Sequence, residues 1–461
     1  MLQRFTDSKS FYKRVAVVAV PIIIQNTITN FVSLLDNIMV GQIGTEQMSG
    51  VSIVNQLMFI FYLCIFGAMA GAGIFTAQFF GSGNHDGIRQ TFRFKFLAGI
   101  TLGVAGIAAL YQFGAPLIGL YLESDSDPAA AALTLSYGLE YLHMMLWGLI
   151  PFALANAYAS TLRDTGKTFV PMVASVTAVL VNLALNWVLI FGHFGLPAMG
   201  AKGAALATVI SRYVELAIVM VWTHLVPQVN IFIVGAYRSL YISGSLLKRI
   251  FIKGMPLLIN ECLFATGMAF LNQCYSVRGL DVVAALNIST TIYNLASVMY
   301  LSLGNVAGII MGQMMGANAS EPEIRSGLKK ITLLSMASCA VFGLFLLAIS
   351  GVFPQIYNTT GEIRNLATIL ICISAVLMPL GAYIHVVYFS QRAGGKTMIT
   401  FLFDSGFIWM CSAPLAFCLS RYTQIPIVPL YAVCQCVDVL KCIIGYFMIR
   451  GNSWIQNLAK Q

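Results

Sequence analysis

Residues 21–81 read PIIIQNTITNFVSLLDNIMVGQIGTEQMSGVSIVNQLMFIFYLCIFGAMAGAGIFTAQFFG, and residues 256–316 read PLLINECLFATGMAFLNQCYSVRGLDVVAALNISTTIYNLASVMYLSLGNVAGIIMGQMMG. The two segments align without a gap when the first residue of each, a proline, is paired with the other. Identical positions in this alignment include Pro21/Pro256, Ile24/Ile259, Asn37/Asn272, Gly44/Gly279, Ile53/Ile288, Ala72/Ala307, Gly73/Gly308, Gln78/Gln313 and Gly81/Gly316. A segment that recurs after half of the chain indicates an internal duplication.

A second block repeats at a slightly smaller shift along the chain. Its four residues in the first half are Arg163, Gly166, Lys167 and Thr168, and their counterparts are Arg392, Gly395, Lys396 and Thr397. Because both halves contain both blocks in the same order, the duplication predicts two homologous lobes. Many secondary transporters are built from such repeated halves.

Apolar runs that could cross a membrane recur along the whole chain. The composition is 58% hydrophobic and 9% charged, whereas soluble domains have about 25% charged residues. Runs of about 20 apolar residues are long enough to span the hydrocarbon core. Twelve such runs cover approximately residues 15–40, 51–79, 96–121, 132–159, 168–192, 203–226, 250–276, 283–312, 330–353, 366–390, 398–419 and 426–449. Six runs in each half predict an all-α membrane protein with two parallel repeats around a central cavity.

The longest connection between the runs marks the expected division of the chain. We predict an amino-terminal lobe at residues 1–226, an inter-lobe linker at residues 227–249 and a carboxyl-terminal lobe at residues 250–461. The other loops are short, so no soluble domain is expected. The string Gly166-Lys167-Thr168 resembles the end of a phosphate-binding loop, but Thr161 stands where that loop needs glycine. We interpret the string as a structural turn.

The distribution of basic residues predicts the orientation in the membrane. Only four lie in one set of alternate loops, namely Lys202, Arg278, Arg364 and Arg421. The opposite set of loops and the two termini hold Arg4, Lys9, Lys13, Arg14, Arg89, Arg93, Lys95, Arg163, Lys167, Arg238, Lys248, Arg249, Lys253, Arg325, Lys329, Lys330, Arg392, Lys396, Arg450 and Lys460. Lysine and arginine accumulate on the cytoplasmic side of membrane proteins. Both termini and the linker are therefore predicted to be cytoplasmic in a multi-pass protein of the plasma membrane.

Several functional classes are disfavoured by the same composition. The net charge of +9 follows the membrane pattern just described, so nucleic acid is not an expected partner. The cysteines and histidines are scattered without metal-ligand spacing. No nucleophile has a nearby base at a suggestive spacing, so the chain is not expected to be an enzyme and no cofactor is expected.

Ionisable residues inside apolar runs are energetically costly and therefore mark candidate functional sites. Asp36 lies in the first run, Glu261 in the seventh and Asp404 in the eleventh, and none has a basic residue within one helical turn. We expect Asp36 to bind the coupling ion, with a neutral, hydrogen-bonded structural carboxyl as the alternative. Glu261 and Asp404 are expected to attract cations in the carboxyl-terminal lobe, again with structural hydrogen bonding as the alternative.

Other polar residues in the runs suggest ligands or internal pairs. Asn182 and Asn186 are one helical turn apart, and amide oxygens are suitable ligands for hard cations such as Na⁺. Helix–helix hydrogen bonding is the alternative for both amides. Two further couples are spaced for ion pairs within one helix, namely Arg212 with Glu215 and Asp438 with Lys441.

Four sets of residues together carry a resemblance to a known family, namely Asp36-Asn37-Ile38-Met39-Val40-Gly41, Gln78-Phe79-Phe80-Gly81, Asn182 with Asn186, and Gly200-Ala201-Lys202-Gly203-Ala204-Ala205-Leu206-Ala207-Thr208. On these residues the chain resembles the MATE (multidrug and toxic compound extrusion) transporters over essentially its whole length. The resemblance implies twelve helices in two lobes and export of organic, often cationic, drugs in exchange for Na⁺ or H⁺. It also implies an acid at the position of Glu261 and a cation site formed by Asp36, Asn182, Asn186 and Thr208.

The resemblance leaves the coupling ion open between H⁺ and Na⁺. Members with the clearest Na⁺ site have aspartate at the position of Asn186, and the neutral residue here favours a proton on Asp36. We expect small organic molecules and the lipid bilayer as partners, and a monomer. A flippase for lipid-linked precursors, which the wider superfamily also contains, is the alternative function. That class usually needs basic residues in its cavity, whereas the unpaired charges in these runs are mostly acidic.

Overall fold

The computed structural model describes residues 8–122 and 128–460. Arg4, one of the basic residues that predict the orientation in the membrane, lies outside the described residues. The described chain is helical and contains no strand. Its helices are α1 (Ser8–Gly41), α2 (Thr45–Ser82), α3 (His85–Gly119), α4 (Pro128–Leu146), α5 (Leu149–Asp164), α6 (Phe169–Phe191), α7 (Gly200–Leu225), α8 (Gly244–Ser276), α9 (Leu280–Gly316), α10 (Glu321–Ile349), α11 (Gly361–Ala393), α12 (Thr397–Tyr422) and α13 (Ile427–Arg450).

The helices agree with the predicted membrane fold. Eleven described helices are long and apolar enough to cross a membrane separately, and the pair α4 and α5 gives a twelfth when it is counted as one broken span. Each predicted apolar run lies on one of these spans. The prediction of an all-α membrane protein is confirmed.

The fourth predicted run, residues 132–159, is bent instead of continuous. Helices α4 and α5 meet at an angle of 45°, and only Trp147 and Gly148 separate them. Pro151 follows in the first turn of α5. Proline has no N–H to donate and its ring collides with the carbonyl four residues earlier, which here belongs to Trp147. The bend therefore has a local cause in the sequence.

The amino-terminal unit consists of Ile24–Thr76 and His85–Lys248. Helices α6 and α7 pack closely in it, and α3 packs on α5. Gly203 of α7 lies against α6, where an added Cβ would be 2.7 Å from the backbone oxygen of Leu189. Small residues permit such close packing of membrane helices. This contact sets the distance between α6 and α7, the helices that hold Asn186 and Thr208.

The loop between α7 and α8 also belongs to the amino-terminal unit and covers residues 226–243. The guanidinium of Arg93 donates to the backbone oxygens of Ala236, Gly235 and Tyr241 at 2.8, 3.0 and 3.1 Å. Lys167 donates to the backbone oxygen of Val229, and burial lowers the pKa of Lys167 to about 8. The loop is thus attached to the unit at several points. Helix α8 begins within the predicted linker, and the division at residues 226 and 250 stays a prediction.

The carboxyl-terminal unit contains residues 8–23, Ala77–Asn84 and residues 249–460. Helix α11 packs against α9, α10 and α13. The central helix α9 buries a continuous apolar surface that includes Val306, Ile310 and Met314, each 0% exposed. Helix α12 is irregular, because it contains π-helical turns at Leu402–Gly406 and Ile408–Ser412.

Candidate functional site

The four residues of the expected cation site lie in one chain of hydrogen bonds within the amino-terminal unit. Asn186 Nδ2 donates to Asp36 Oδ1 and to Asn182 Oδ1 at 3.2 Å. Asn182 Nδ2 donates to Thr208 Oγ1 at 3.2 Å, and this hydroxyl donates to the backbone oxygen of Ala204 at 3.0 Å. Three helices, α1, α6 and α7, thus bring the four side chains together.

Asn186 is the buried centre of this chain of hydrogen bonds. Its side chain is 0% exposed, while Asp36 is only partly buried. The amide oxygen of Asn186 is enclosed and accepts no hydrogen bond from the described residues. A buried acceptor without a donor costs about 1–3 kcal/mol. The site therefore contains an oxygen that an added cation or proton donor would stabilise.

The orientation of the Asn186 amide relates this site to cation binding. Its NH₂ group lies between two acceptors, Asp36 Oδ1 and Asn182 Oδ1. If the Asn186 amide rotated so that its oxygen and nitrogen exchanged places, its oxygen would lie beside Asp36 Oδ1 and Asn182 Oδ1. This follows because one branch of the amide is an acceptor and the other is a donor. A cation between the three would offset their repulsion, since hard cations prefer oxygen ligands. With the Asn186 amide in its observed orientation, the site can hold a proton on Asp36. With the amide rotated, the site can hold Na⁺.

A positive charge lies one helical turn beyond Thr208. The predicted pair of Arg212 and Glu215 is confirmed, with Arg212 Nη1 3.2 Å from Glu215 Oε2. The Arg212 guanidinium also lies 4.8 Å from the centre of the Phe152 ring. Tyr62, Thr208 and Arg212 line the same small crevice. Arg212 thus adds a paired positive charge beside a site that has one carboxylate.

Asp404 lies in a second polar cluster, within the carboxyl-terminal unit. Its Oδ1 accepts from Lys441 Nζ at 2.9 Å, and its Oδ2 accepts from Asn260 Nδ2 at 3.1 Å. Asn260 Oδ1 accepts from Ser405 Oγ at 2.7 Å and from the Ser405 backbone N–H at 3.2 Å. The cluster links α8, α12 and α13 through buried groups.

One prediction about charges in this cluster is wrong. Spacing along the sequence pairs Lys441 with Asp438 on its own helix, whereas Asp404 has no basic residue within one helical turn. Lys441 instead pairs with Asp404, and within the described residues Asp438 has no ion pair shorter than 4.0 Å. Sequence spacing reveals neighbours within a helix, whereas this pair forms between α12 and α13.

The irregular backbone of α12 contributes to the same cluster. Asp404 and Ser405 lie in the first π-helical turn, where the regular backbone hydrogen-bond pattern of the helix changes. The Ser405 N–H donates to the side chain of Asn260, and Trp409 Nε1 donates to the backbone oxygen of Leu263 at 2.9 Å. Single-turn π-helices often occur at functional sites, and the two π-helical turns of this helix attach α12 to α8.

Glu261 follows Asn260 directly and is partly buried. Its carboxylate makes no hydrogen bond or ion pair shorter than 4.0 Å with another described residue. Lys441 compensates Asp404, whereas neither Glu261 nor Asp438 has an ion pair shorter than 4.0 Å with a described residue, so the charges of these two acids are available to a mobile cation.

Lys441, Asn260 and Ser405 belong to this cluster but were not among the sequence-predicted site residues. A signal for Lys441 was present, because Arg212 and Lys441 are the only arginine and lysine deep within the apolar runs. A buried lysine needs an acidic partner, and Asp404 had none nearby in sequence. No comparable signal identified Asn260 or Ser405, because buried amides and hydroxyls are common between membrane helices.

Comparisons with known proteins assign the chain to a family. The sequence model of the MatE family matches residues 21–188 and 256–418, which is more than half of the chain. The "Probable multidrug resistance protein NorM" of Thermotoga maritima is 23% identical over 415 residues, covering 90% of this chain and 86% of that protein. The "Probable multidrug resistance protein YoeA" of Bacillus subtilis is 24% identical over 454 residues, covering 95% and 94%.

Solved structures show the same fold. An outward-facing multidrug resistance MATE family transporter of the MOP superfamily superposes with a TM-score of 0.84 at 17% identity, over 97% of both chains. A MOP superfamily transporter from Pyrococcus furiosus, for which a binding pocket of reverse polarity is described, gives a TM-score of 0.83 at 17% identity, also over 97% of both chains. The repeated segments, the helical spans and the matched regions agree with one another. The chain belongs to the MatE family of membrane transporters.

Proposed function

We propose that the protein exports multiple organic compounds by exchanging them for a coupling cation that binds at Asp36. The observation that carries this proposal is the position of the Asn186 amide between Asp36 and Asn182. This amide can respond to the occupancy of the site, because its oxygen accepts no hydrogen bond from the described residues in the observed orientation. The relatives named as multidrug resistance proteins support the substrate class.

We propose H⁺ as the coupling ion in preference to Na⁺. The site has one formal negative charge, at Asp36, because Asn182, Asn186 and Thr208 are neutral. The positive charge of Arg212 lies one turn from Thr208 and is paired with Glu215. Tight Na⁺ binding would require the Asn186 amide to rotate, whereas proton binding needs no change in its orientation.

The exported compounds are proposed to be amphipathic and cationic. Glu261 supports this proposal, because its carboxylate has no close ion-pair partner in the described chain. A partly buried negative charge attracts cations more strongly than an exposed one, since water screens it less. Asp404 is assigned a supporting role, because Lys441 already compensates its charge.

The protein is further proposed to act as a monomer in the plasma membrane, with both termini cytoplasmic. The basic residues in alternate loops support this orientation. The flippase alternative has less support, because the two deep basic residues, Arg212 and Lys441, are both paired with acids. A phosphate-bearing lipid would have to compete with these carboxylates.

The proposal is tested by transport in liposomes that contain the purified protein. A fluorescent organic cation is supplied, and either a pH gradient or a Na⁺ gradient is imposed alone. We expect accumulation against the substrate gradient under the pH gradient and little under the Na⁺ gradient. The reverse pattern would assign Na⁺ as the coupling ion. Transport under neither gradient, for cationic and neutral compounds alike, would contradict ion-coupled export.

A further inference from the structure

Residues 451–460, which follow the last helix, bind back onto the carboxyl-terminal unit, and we call them the strap. Two apolar side chains anchor the strap, because Trp454 is 0% exposed and Leu458 is 2% exposed. Arg325 of α10 holds the junction between α13 and the strap, because its guanidinium donates to the backbone oxygens of Arg450 and Gly451 at 3.0 and 3.4 Å and to the side-chain oxygen of Asn452. The strap is therefore a specifically bound peptide.

The side chain of Gln78, near the end of α2, pairs with the backbone of the strap. Gln78 Oε1 accepts from the N–H of Leu458 at 2.5 Å, and Gln78 Nε2 donates to the backbone oxygen of Gln456 at 3.0 Å. One amide thus binds a donor and an acceptor on one edge of the peptide, as a neighbouring β-strand would. The same Nε2 donates to the backbone oxygen of Ala393 at 2.8 Å, which joins α2, α11 and the strap.

The strap lies in a groove whose floor is formed by Gly394 and Gly395, the two glycines that follow α11. A Cβ on Gly394 would collide with the backbone oxygen of Trp454. A Cβ on Gly395 would be 2.8 Å from Leu458 Cδ1, and Gly395 has a φ of +74°. The backbone of the strap therefore occupies space that any side chain at Gly394 would fill.

The internal repeat provides a comparison for the contacts that Arg249 and Gln78 make with the strap. Arg14 Nη2 donates directly to Gln313 Oε1 at 2.6 Å. The alignment that pairs the two repeated segments also relates Arg14 to Arg249 and Gln78 to Gln313. In the repeat-related arrangement, Arg249 Nη2 donates to the Leu458 backbone oxygen at 2.5 Å, and Gln78 binds the N–H of the same residue. The strap thus connects two side chains whose repeat counterparts contact each other directly.

The end of α2 that binds the strap also packs on α9 without intervening side chains. A Cβ on Gly316 would collide with the backbone oxygen of Gln78, and a Cβ on Gly81 would collide with that of Gln313. These four residues are repeat counterparts, so the contact has approximate two-fold symmetry. Gln78 belongs to both the backbone contact with α9 and the strap groove.

We propose that Gln78, Arg249 and Gly394 form a binding site for the chain's own residues 451–460, and that the bound strap locks the end of α2 against α9. Transporters built from repeated halves alternate access by moving one repeat against the other. Separation of α2 from α9 would then require the strap to leave its groove. This inference depends on the contacts of the carboxyl-terminal unit and on neither the exported compound nor the coupling ion.

Hydrogen exchange measured by mass spectrometry on the full-length protein in lipid nanodiscs tests the proposal. Gly394→Ala should displace the strap without altering the strap's own sequence, and Trp454→Ala should displace it by removing an anchor. We expect exchange at least tenfold faster than in the wild type, both at residues 451–460 and at residues 77–84. Gly361→Ala is the matched control, because a Cβ there meets no atom within 4 Å.

The outcomes distinguish a lock from passive packing. If the strap exchanges rapidly in both variants while residues 77–84 keep wild-type protection, the strap does not hold α2 and the proposal is wrong. Unchanged exchange of the strap in both variants would contradict the groove itself. Residues 169–191 of α6 report general unfolding, and their exchange is expected to stay at the wild-type level.

Discussion

At the scale of single residues, Asp36 and Asn186 form the contact on which the proposed coupling depends. The carboxylate accepts a hydrogen bond from an amide whose own oxygen is buried without a donor among the described residues. Ion binding and release at Asp36 would therefore change the hydrogen bonding of a fully buried neighbour. Ionisable residues at membrane depth are costly and often mark ion or substrate pathways.

Asp36→Asn should give a folded protein that no longer concentrates substrate against its gradient. The amide keeps the size of the side chain but can neither bind a proton nor carry the negative charge that attracts a cation. Initial rates of gradient-driven uptake in liposomes provide the measurement. Glu140→Gln makes the same chemical change at an exposed acid of α4 and should retain wild-type transport.

Near wild-type accumulation by Asp36→Asn would refute the coupling role of this residue. Glu261 would then become the leading candidate, because Lys441 compensates the charge of Asp404. Loss of transport accompanied by a lower melting temperature would indicate misfolding instead, so the thermal stability of each variant is measured in the same preparation.

The pair of Lys441 and Asp404 should behave as a coupled, buried ion pair. Their side chains are 7% and 18% exposed, and removal of one partner of a buried pair costs about 3–5 kcal/mol. Lys441→Gln should therefore lower the apparent melting temperature strongly, and Asp404→Asn added to it should recover part of the loss. Thermal unfolding of both single variants and the double variant forms the cycle. Additive losses would show that the pair is not coupled.

At the scale of elements, irregular segments connect the helices that hold the candidate sites. The bend between α4 and α5 follows from Pro151 and Gly148, whereas the π-helical turns of α12 place Asp404 and Ser405 against Asn260. The loop between α7 and α8 is similarly determined by long-range contacts. Its residues Phe232 and Ala236 are buried against the amino-terminal unit, 2% and 0% exposed.

Arg93→Lys should release this loop while preserving the charge. The guanidinium of Arg93 reaches three backbone oxygens of the loop, and the single ammonium of lysine cannot reproduce that geometry. We expect faster chymotrypsin cleavage after Tyr241 in detergent-solubilised protein. Arg238→Lys is the control, because Arg238 lies exposed in the same loop. Equal cleavage of the two variants would mean that Arg93 does not secure the loop.

At the scale of the whole molecule, the membrane fold and the distribution of lysine and arginine over alternate loops predict which loops face the cytoplasm. The loop containing Arg238 should be cytoplasmic, whereas Lys202, at the start of α7, should lie on the opposite side. A membrane-impermeant maleimide should therefore label Lys202→Cys but not Arg238→Cys in intact cells. Wild-type protein corrects for the native cysteines. Labelling of Arg238→Cys from outside would overturn the orientation.

The sequence determined the class of fold by itself. Twelve apolar runs require membrane helices, because a spanning segment must satisfy its own backbone hydrogen bonds in lipid. The duplicated segment from Pro21 to Gly81 indicated two homologous halves. The Arg212–Glu215 pair also followed from the sequence, because residues three apart on a helix are neighbours. The resemblance carried by the Asp36 and Asn182 segments then identified four residues that lie in one hydrogen-bonded chain.

Only the tertiary structure decided which polar groups meet between helices. Lys441 is three residues from Asp438 but binds Asp404, because the packing of α12 on α13 brings that carboxylate within 2.9 Å. Asn260 and Ser405 look like ordinary polar residues until the π-helical turn places them together. Gln78 repeats at Gln313, yet its side chain binds a peptide from the far end of the sequence. Periodicity describes one helix at a time, whereas burying a charge or an amide requires a partner that the packing of several helices selects.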